Sequence, residues 1–501
     1  MTTLRSVIRR NAIRIVVILT VLLLVAFKVQ KVDISYTSHP TKVYSDSNIT
    51  SRLHYLVPAT LAKPPVCAVV ASALVNRYPI PTILGYKGEG EYDAKKAHIA
   101  KLRAIKRYLY SPAGAEEDDL VIIVDGFDVL AQIPAETVIE RYFDLIAEAD
   151  QKLADQHGIT VEEAHSRGLR QTLLWGTDKG CFPTGGKDPR CWLVPFSNLP
   201  RYKWGPKTDN GELVFSDSRF LNSGTVIGPL GDLRRFIDAA LQLIKDTWDP
   251  DFKFHNSDQY YISTLYARQE YQRTLDLNNG QFPGDIGGRN LPRKKEDEND
   301  VTEYHVLVDF GYSITQTQCH NDRFMRKLQY KNHDLTATVA EDAFEEGESF
   351  RPYNIQMPSS LYQALSRFYD SLLGDERPSM SVKEWVRSLR LGTNIGTGNI
   401  YAFYHNTCSK KAFVDKYHDS WFFPLMKPLL RAAVRAIQEK QPLHPRLING
   451  RIWMAVNQYP DNSDLQDELG GVFTDFEGET FIPLQVFCKE HLAAVIGIES
   501  E

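Results

Sequence analysis

The pattern of apolar and polar positions predicts alternating strands and helices from about residue 65 onwards. Residues 120–124 read LVIIV, a continuous run of branched side chains that is typical of a strand buried on both faces. Residues 66–74 and 171–175 are also apolar enough to predict strands. Helical spacing follows Pro134 and is clearest at 231–247, where apolar residues recur every three or four positions. This alternation predicts an α/β fold with a mostly parallel sheet and helices on both faces.

An apolar run without charges, residues 15–27, lies between arginines on its N-terminal side and Lys28 and Lys31 on the other. It is shorter than the roughly 20 residues that span a bilayer, but flanking basic side chains can extend to the headgroups. A cleaved signal peptide would have small residues just downstream, and the chain lacks them. The pattern therefore favours an uncleaved type II signal anchor at residues 1–31, with the remaining chain in the lumen of the endoplasmic reticulum or Golgi.

Composition divides the rest of the chain into segments. Residues 32–64 are mostly polar and carry the glycosylation sequon Asn48-Ile49-Thr50, so they are predicted to form a lumenal stem. Residues 65–440 are predicted to fold as one domain. Within it, 334–398 shifts in composition and is predicted to be an insertion. Residues 441–501 form a mixed tail without a predicted role.

The overall composition fits a soluble lumenal body, with 43% hydrophobic residues, 24% charged residues and a formal net charge of −5. A slightly acidic chain without a basic stripe lacks the electrostatic footprint of a nucleic-acid-binding protein. The 6 cysteines show no C-x-x-C spacing, which argues against zinc. Cys181 and Cys191 either close a short disulfide loop or remain free, and both alternatives stay open.

Two carboxylates spaced three apart, Asp125 and Asp128, close the predicted strand at 120–124. Ligands of α/β folds bind at the carboxyl ends of such strands, and Mg²⁺ and Mn²⁺ prefer carboxylate oxygens and phosphates. The pair therefore suits a cation that binds a nucleotide diphosphate. The alternative is an ordinary Asp-Gly turn.

Seven motifs, taken in order, resemble the glycosyltransferase domain of procollagen lysyl hydroxylases and related collagen glycosyltransferases. The resemblance covers residues 65–438 apart from the insertion, and no segment resembles the hydroxylase domain. The motifs are PTILGYKGEGEY (81–92), VIIVDGFDVL (121–130), LLWGTDKGCFP (173–183), RFLNSGTVIG (219–228), SDQYYISTLY (257–266), LVDFGYSITQT (307–317) and YHNTCSKK (404–411).

The resemblance implies a GT-A-type, Rossmann-like fold that transfers a hexose from a UDP-sugar to a protein or glycan acceptor with Mn²⁺ or Mg²⁺. It implies that Asp125 and Asp128 bind the metal together with a later histidine. His405 follows an apolar run at 400–404 and precedes a basic segment, as the family's metal histidine does. His320 is the alternative ligand.

The resemblance also implies that Asn222, Ser223 and Gly224 contact the donor, where a glycine lets backbone approach a ligand closely. The alternative is a plain Asx or glycine turn. Asp258 is the candidate catalytic residue, accepting the proton of the acceptor hydroxyl or binding a donor-sugar hydroxyl. It could equally be the N-cap of the helix that begins there.

Three further residues are candidates for contact with the nucleotide sugar. Trp175 and Tyr92 could stack on the base or the sugar, and Lys101 on a predicted basic helix at 94–110 could reach a phosphate. The alternative for both aromatic residues is packing in the core, and for Lys101 it is a solvated helix face.

Two positions depart from the family pattern. Ser257 stands where the family has the first of two acidic residues, and Asn406-Thr407-Cys408 replaces a Gly-Asn-Gly segment. These changes support a second hypothesis, a catalytically degenerate binding or scaffold protein of the secretory pathway. A third hypothesis, a lumenal hydrolase, uses the paired carboxylates without a nucleotide.

Overall fold

The computed structural model describes residues 49–93, 98–183, 185–297, 299–460, 468–475 and 480–497. The predicted membrane anchor, most of the predicted stem and Asn48 of the sequon lie outside these residues. None of the helices in the described part of the chain combines the length and the apolar character needed to cross a membrane.

The strands are named in chain order. They are β1 Ile49–Pro58, β2 Thr82–Leu84, β3 Leu120–Val124, β4 Val129–Ala131, β5 Leu173–Asp178, β6 Phe220–Pro229, β7 Val306–Val308, β8 Thr315–Thr317, β9 Met325–Gln329, β10 Thr336–Val339, β11 Tyr353–Gln356, β12 Arg390–Asn394, β13 Asn399–Ile400, β14 Phe403–His405, β15 Arg451–Ala455, β16 Gly471–Thr474 and β17 Thr480–Pro483.

The α-helices are named in the same way. They are α1 Pro64–Val75, α2 Ala100–Leu109, α3 Ala135–His157, α4 Val161–Ser166, α5 Pro189–Trp192, α6 Leu230–Thr247, α7 Asp258–Leu277, α8 Ser359–Ser371, α9 Val382–Ser388, α10 Phe413–His418, α11 Met426–Gln438, α12 Leu484–Cys488 and α13 Leu492–Ile496.

The central sheet has the strand order β17-β16-β2-β1-β3-β6-β5-β7, and β15 also pairs with β1. Strand β1 is parallel to β2, β3 and β15, and the pairs β2–β16 and β5–β7 are parallel as well. Only β6 and β17 run antiparallel to their neighbours in this sheet. The prediction of a mixed α/β fold with a largely parallel sheet is confirmed, and the arrangement is compatible with a Rossmann-like fold.

Alternate side chains of β3 enter two separate hydrophobic cores. Ile122 and Val124 belong to a first core that packs against α1, α3, α8 and α11. Val121 and Ile123 belong to a second core that packs against α2, α6 and α7. Helices therefore cover both faces of the sheet, and β3 is buried on both sides, as the LVIIV run predicts.

The strand predicted at 66–74 is wrong, because this segment lies within helix α1. Every residue from Val66 to Val75 is buried, so the segment shows no polar face from which helical spacing could be read. Proline at the first turn fits the start of a helix, since its missing N–H has no partner to lose there.

The predicted start of the domain near residue 65 is also wrong, because β1 lies in the middle of the central sheet. Its polar side chains hide it in the sequence. His54 is fully buried, with Nδ1 2.9 Å from the Tyr108 hydroxyl and Nε2 3.2 Å from Asp119 Oδ2. A buried polar side chain that finds partners in this way obscures the apolar pattern of a central strand.

The segment predicted as a tail, 441–501, contributes β15, β16 and β17 to the central sheet. A disulfide between Cys67 and Cys488 ties it to α1. The segment predicted as an insertion, 334–398, contains β10 to β12, α8 and α9, and α8 packs on the first core. The apolar run at 400–404 is divided between the short strands β13 and β14.

Candidate metal and nucleotide-sugar site

A cavity of about 590 Å³ lies at the carboxyl end of β3. The structure gathers around it seven residues that the sequence predicts as ligands or contacts. They are Asp125, Asp128, Asn222, Ser223, Gly224, Asp258 and His405; His320, the alternative ligand, lines the cavity as well.

The two aspartates follow β3 in a tight loop that leads into β4. Gly126 fits here because a Cβ at this position would lie 2.7 Å from the carbonyl oxygen of Pro58 at the end of β1. The backbone N–H of Asp125 donates to the carbonyl of Gly224, with a distance of 2.8 Å. The loop is thus held between β1 and β6, and it presents both carboxylates to the cavity.

His405 joins the aspartates through strand pairing. In the antiparallel pair β14–β4 it lies opposite Val129, directly beside Asp128. Its Nε2 is 3.6 Å from Asp128 Oδ2, and ligand atoms of Asp125, Asp128 and His405 lie within 4.8 Å of one another. Among the described residues, His320 is not part of this group of ligand atoms. It lies beside Cys319 and Cys408, whose sulfur atoms form a disulfide.

The three side chains suit a divalent cation. Asp128 Oδ1 and His405 Nδ1 are buried and have no hydrogen-bond partner among the described residues, an arrangement that costs free energy unless a ligand completes it. Burial acts to raise the pKa of Asp128, but His405 and then Lys410 outweigh it and hold the pKa low. Two carboxylates and one imidazole form a donor set that Mn²⁺ and Mg²⁺ accept.

Lys101 contacts carboxylates in this structure, whereas a phosphate contact was predicted. Its Nζ lies 2.6 Å from Asp125 Oδ1 and 3.0 Å from Asp258 Oδ2, and it donates to the Ser223 carbonyl at 2.9 Å. Burial acts to lower the pKa of Lys101, but the two aspartates outweigh it and raise the pKa above its usual value. Lys101 is therefore a fixed cation that holds Asp125 and Asp258 in place.

The segment Asn222–Gly224 forms part of strand β6. The amide of Asn222 donates to Asp178 Oδ2 at 2.8 Å, and its Oδ1 accepts from the backbone N–H of Gly224 at 2.9 Å. The second bond is the contact expected of an Asx turn, the alternative interpretation of this segment. It lies within a strand at the cavity wall and not in a separate turn. Asp178, which was not predicted, lines the cavity at the end of β5.

Gly224 makes room for a protein side chain. The prediction was that glycine lets backbone approach a ligand, but the imidazole of His405 fills that space, since a Cβ on Gly224 would lie 2.1 Å from His405 Cε1. The pairing of β14 with β4 places the His405 ring against Gly224 on β6.

Asp258 begins helix α7, as predicted, but it is not the N-cap. Ser257 is the N-cap, and its hydroxyl accepts from the backbone N–H of Tyr260 at 3.3 Å. Burial acts to raise the pKa of Asp258, but Lys101 outweighs it and holds the pKa below its usual value. Asp258 is therefore a carboxylate at the cavity wall, and the serine that departs from the family pattern has a structural role.

Trp175 and Tyr92 are not among the residues that line this cavity, and the alternative given for both, packing in the core, is what the structure shows. Trp175 is buried in the second core, with its ring centroid 5.4 Å from that of Phe236. Tyr92 lies under the guanidinium of Arg107 at 4.2 Å and lines a different cavity. Burial explains the first case, because alternation along β5 directs Trp175 into the core.

Two disulfides reach the cavity wall. Of the two alternatives left open for Cys181 and Cys191, the structure shows the disulfide. Cys319 and Cys408 form another bridge, and the Thr407 hydroxyl accepts from the Cys319 backbone N–H at 2.8 Å. The bridge gives a structural reason for the loop that departs from the family's Gly-Asn-Gly segment.

Lys410 and Gln259 are cavity residues that sequence reasoning missed. Lys410 Nζ lies 3.2 Å from Asp128 Oδ2, and the Lys410 side chain is 70% exposed, so it remains open to a ligand. Gln259 Oε1 accepts from the Ser223 N–H at 3.4 Å. The available signal for Lys410 was its position in the basic segment just after His405.

No protein-family model matches this chain, and no curated protein matches it either. The function of the cavity is therefore inferred from the residues that line it and from the resemblance of the motifs.

Proposed function

We propose that this protein is a metal-dependent glycosyltransferase with a GT-A-type fold, which transfers a hexose from a UDP-sugar to a protein or glycan acceptor. The observation that carries this proposal is the convergence of Asp125, Asp128 and His405 within 4.8 Å in a cavity of about 590 Å³. This volume lies within the range of roughly 300–1,000 Å³ typical of small-molecule sites. The cavity also lies at the carboxyl end of a central strand, where open α/β sheets bind their ligands.

Asp125, Asp128 and His405 would hold Mn²⁺ or Mg²⁺. When bound, the ion would neutralise the negative charge of a departing diphosphate. Lys410 adds an exposed ammonium group beside Asp128, so it can contact a phosphate oxygen at the mouth of the cavity.

The remaining polar residues orient the donor and the acceptor. Asn222 and Gln259 form a hydrogen-bonded wall around the Ser223 backbone. Asp258 is kept anionic by Lys101 and can accept a hydrogen bond from a sugar hydroxyl. Since Lys101 also binds Asp125, it fixes the distance between the metal-binding wall and the hydroxyl-binding wall.

The proposed location is the lumen of the Golgi or endoplasmic reticulum, with the chain anchored through its N-terminal apolar run. Six cysteines form three disulfides, Cys67–Cys488, Cys181–Cys191 and Cys319–Cys408. Structural disulfides of this kind persist in oxidising compartments.

Ligand-linked stability provides the first test. A ligand that binds only the folded state raises the melting temperature of the protein. UDP should therefore raise it in the presence of Mn²⁺, and by much less when EDTA removes the metal. Asp128→Asn should abolish the metal-dependent part of the shift. Asp251→Asn, at an exposed carboxylate outside the cavity, should behave like the wild type. A shift that is independent of Mn²⁺ would contradict the proposal.

Turnover provides the second test. UDP-hexoses should be hydrolysed slowly with Mn²⁺ in the absence of acceptor, and Asp128→Ala should lose this background activity. Equal turnover by the wild type and Asp128→Ala would contradict the assignment as a transferase.

A second candidate function is a binding protein that has lost transferase activity. Two observations favour it: Lys101 binds both Asp125 and Asp258, and Ser257 stands in place of a carboxylate. Stabilisation by UDP and Mn²⁺ without turnover of any UDP-hexose would select this function.

A further inference from the structure

A second cavity, of about 230 Å³, lies between β9, β12 and α10. We call it the basic cavity, after its charged lining residues Arg326, Lys327, Arg390, Lys416 and Asp419. It shares no lining residue with the cavity that contains His405. Tyr404, the neighbour of His405 on β14, lines the basic cavity, so strand β14 lies between the two.

The cations of the basic cavity outnumber its anions. Asp419 serves two of them, with Oδ2 2.8 Å from Lys327 Nζ and Oδ1 3.6 Å from Arg390 NH1. Arg326 pairs with Glu341, which lies outside the cavity lining. Lys416 forms no ion pair with any described residue. Four cations therefore face two carboxylates, which leaves an excess of positive charge.

Lys327 is the most buried cation of the basic cavity, and its neighbours act on its charge. Burial is the main reason why the pKa of Lys327 lies below its usual value. Asp419 acts to raise this pKa, whereas the positive charges of Lys416 and Arg390 act to lower it further. An anion placed among these cations would act in the opposite direction.

We propose that the basic cavity binds a phosphate group, either as the free ion or as the monoester of a small sugar. Guanidinium groups match the geometry of phosphate oxygens, and ammonium groups bind phosphate as point charges. The cavity is smaller than the roughly 300 Å³ at which pockets for drug-sized ligands begin, so it suits one small anion. Leu130, Met325 and Tyr401 provide an apolar wall that a sugar ring can contact. This site is independent of the proposed transferase function.

Calorimetric titration of the full chain with inorganic phosphate tests the proposal. EDTA removes divalent metal from the His405 cavity, and chloride at equal ionic strength serves as the reference anion. We expect one phosphate site per chain. Lys416→Glu should weaken binding about tenfold or more, since a hydrogen bond to a charged group is lost and a like charge is added. Lys416 is exposed, so this change leaves the fold intact, which thermal unfolding will check.

Two control variants make the result specific. Lys245→Glu reverses another exposed lysine without an ion pair among the described residues, and it should leave the affinity for phosphate unchanged. Lys410→Glu reverses the cation beside Asp128 and reports any phosphate that binds in the His405 cavity instead. Equal phosphate affinity in the wild type and Lys416→Glu would overturn the proposal. A stronger effect of Lys410→Glu than of Lys416→Glu would place the phosphate in the other cavity and would also overturn it.

A comparison of glucose 1-phosphate with inorganic phosphate separates the two sources of the anion. Tighter binding of the ester would indicate that the apolar wall contacts a sugar, and tighter binding of inorganic phosphate would indicate a site for the free ion. Either result supports the proposal only if Lys416→Glu also weakens binding of the preferred ligand. Binding that does not change in Lys416→Glu would overturn the proposal.

Discussion

The imidazole of His405 occupies the space that a side chain at position 224 would need. A Cβ on Gly224 would lie 2.1 Å from His405 Cε1, 2.7 Å from Nδ1 and 2.8 Å from Nε2. A nonbonded Cβ essentially never lies within 3.0 Å of another heavy atom, so either the ring or the strand would have to move. Gly224 therefore determines where the third member of the Asp125–Asp128–His405 group lies.

Gly224→Ala should weaken both metal binding and the fold. Overpacking of a buried site typically costs about 1–3 kcal/mol, because side chains leave their preferred rotamers. The displaced ring would no longer lie beside Asp128. Affinity for Mn²⁺ should therefore fall at least about tenfold, as it does when groups that orient a metal ligand are removed. Urea unfolding and Mn²⁺ titration measure the two effects separately.

Gly374→Ala is the matched control, because a Cβ there meets nothing within 4 Å. Both its stability and its Mn²⁺ affinity should equal those of the wild type. Unchanged Mn²⁺ affinity in Gly224→Ala would show that His405 does not take part in metal binding.

The elements predicted correctly from the sequence are those whose pattern of apolar and polar residues has one physical interpretation. LVIIV at 120–124 is β3, and the two aspartates that follow it line the cavity. The order of motifs indicated His405, although 277 positions separate it from Asp128 and only the pairing of β14 with β4 explains their contact. Order along the chain carried that information, whereas composition did not.

The errors arose where burial removes or hides periodicity. The segment 66–74 is apolar on every side, so a buried helix and a buried strand look alike. Strand β1 carries His54 in the core, and the polar residue masks a central strand. The sequence showed Lys101 on a basic helix, but its contact with Asp125 and Asp258 depends on three elements that meet only in the fold.

Ser257 should stabilise α7 as its N-cap. Ser257→Ala removes the hydroxyl that accepts from the Tyr260 N–H, and such a loss typically costs about 1 kcal/mol. Ser257→Asp retains a capping oxygen and should keep the stability of the wild type. Urea unfolding measures both variants, and a Ser257→Ala variant as stable as the wild type would contradict the capping role.

The three disulfides should differ in their contribution to stability according to the chain length that each one closes. The sequence separations are 10 residues for Cys181–Cys191, 89 for Cys319–Cys408 and 421 for Cys67–Cys488. Loop-closure entropy grows with the logarithm of this length, so removal of Cys319–Cys408 should cost about 2 kcal/mol more than removal of Cys181–Cys191. Paired Cys→Ala variants measured by urea unfolding check the order, and the reverse order would contradict it.

The ion pair between Glu303 and Arg273 should make stability depend on acid pH. Burial acts to raise the pKa of Glu303, but Arg273 and then His305 outweigh it and lower the pKa from 4.5 to about 2. A carboxyl pKa that is lower in the folded state stabilises that state at any pH above the pKa of the unfolded chain. This contribution is lost as the pH falls from about 4.5 towards 2. The linked free energy is on the order of 3 kcal/mol at most.

Glu303→Gln tests this dependence, because glutamine keeps the shape of the side chain and does not titrate. Its unfolding free energy should vary less with pH than that of the wild type between about pH 4.5 and 2. Parallel curves for the two proteins would show that Glu303 does not contribute to acid sensitivity.

Lys101→Met should destabilise the metal-free protein and increase its response to Mn²⁺. The ammonium group lies 2.6 Å from Asp125 and 3.0 Å from Asp258, and loss of one partner from a buried ion pair typically costs about 3–5 kcal/mol. A divalent cation supplies positive charge to the same carboxylates, so Mn²⁺ should raise the melting temperature of Lys101→Met more than that of the wild type. Lys410→Met is the control: its ammonium contacts Asp128, the other carboxylate of the group, but is 70% exposed, and pairs with an exposed member contribute about 1 kcal/mol or less. An equal Mn²⁺ response in Lys101→Met and the wild type would show that the lysine and the metal do not share the charge of Asp125.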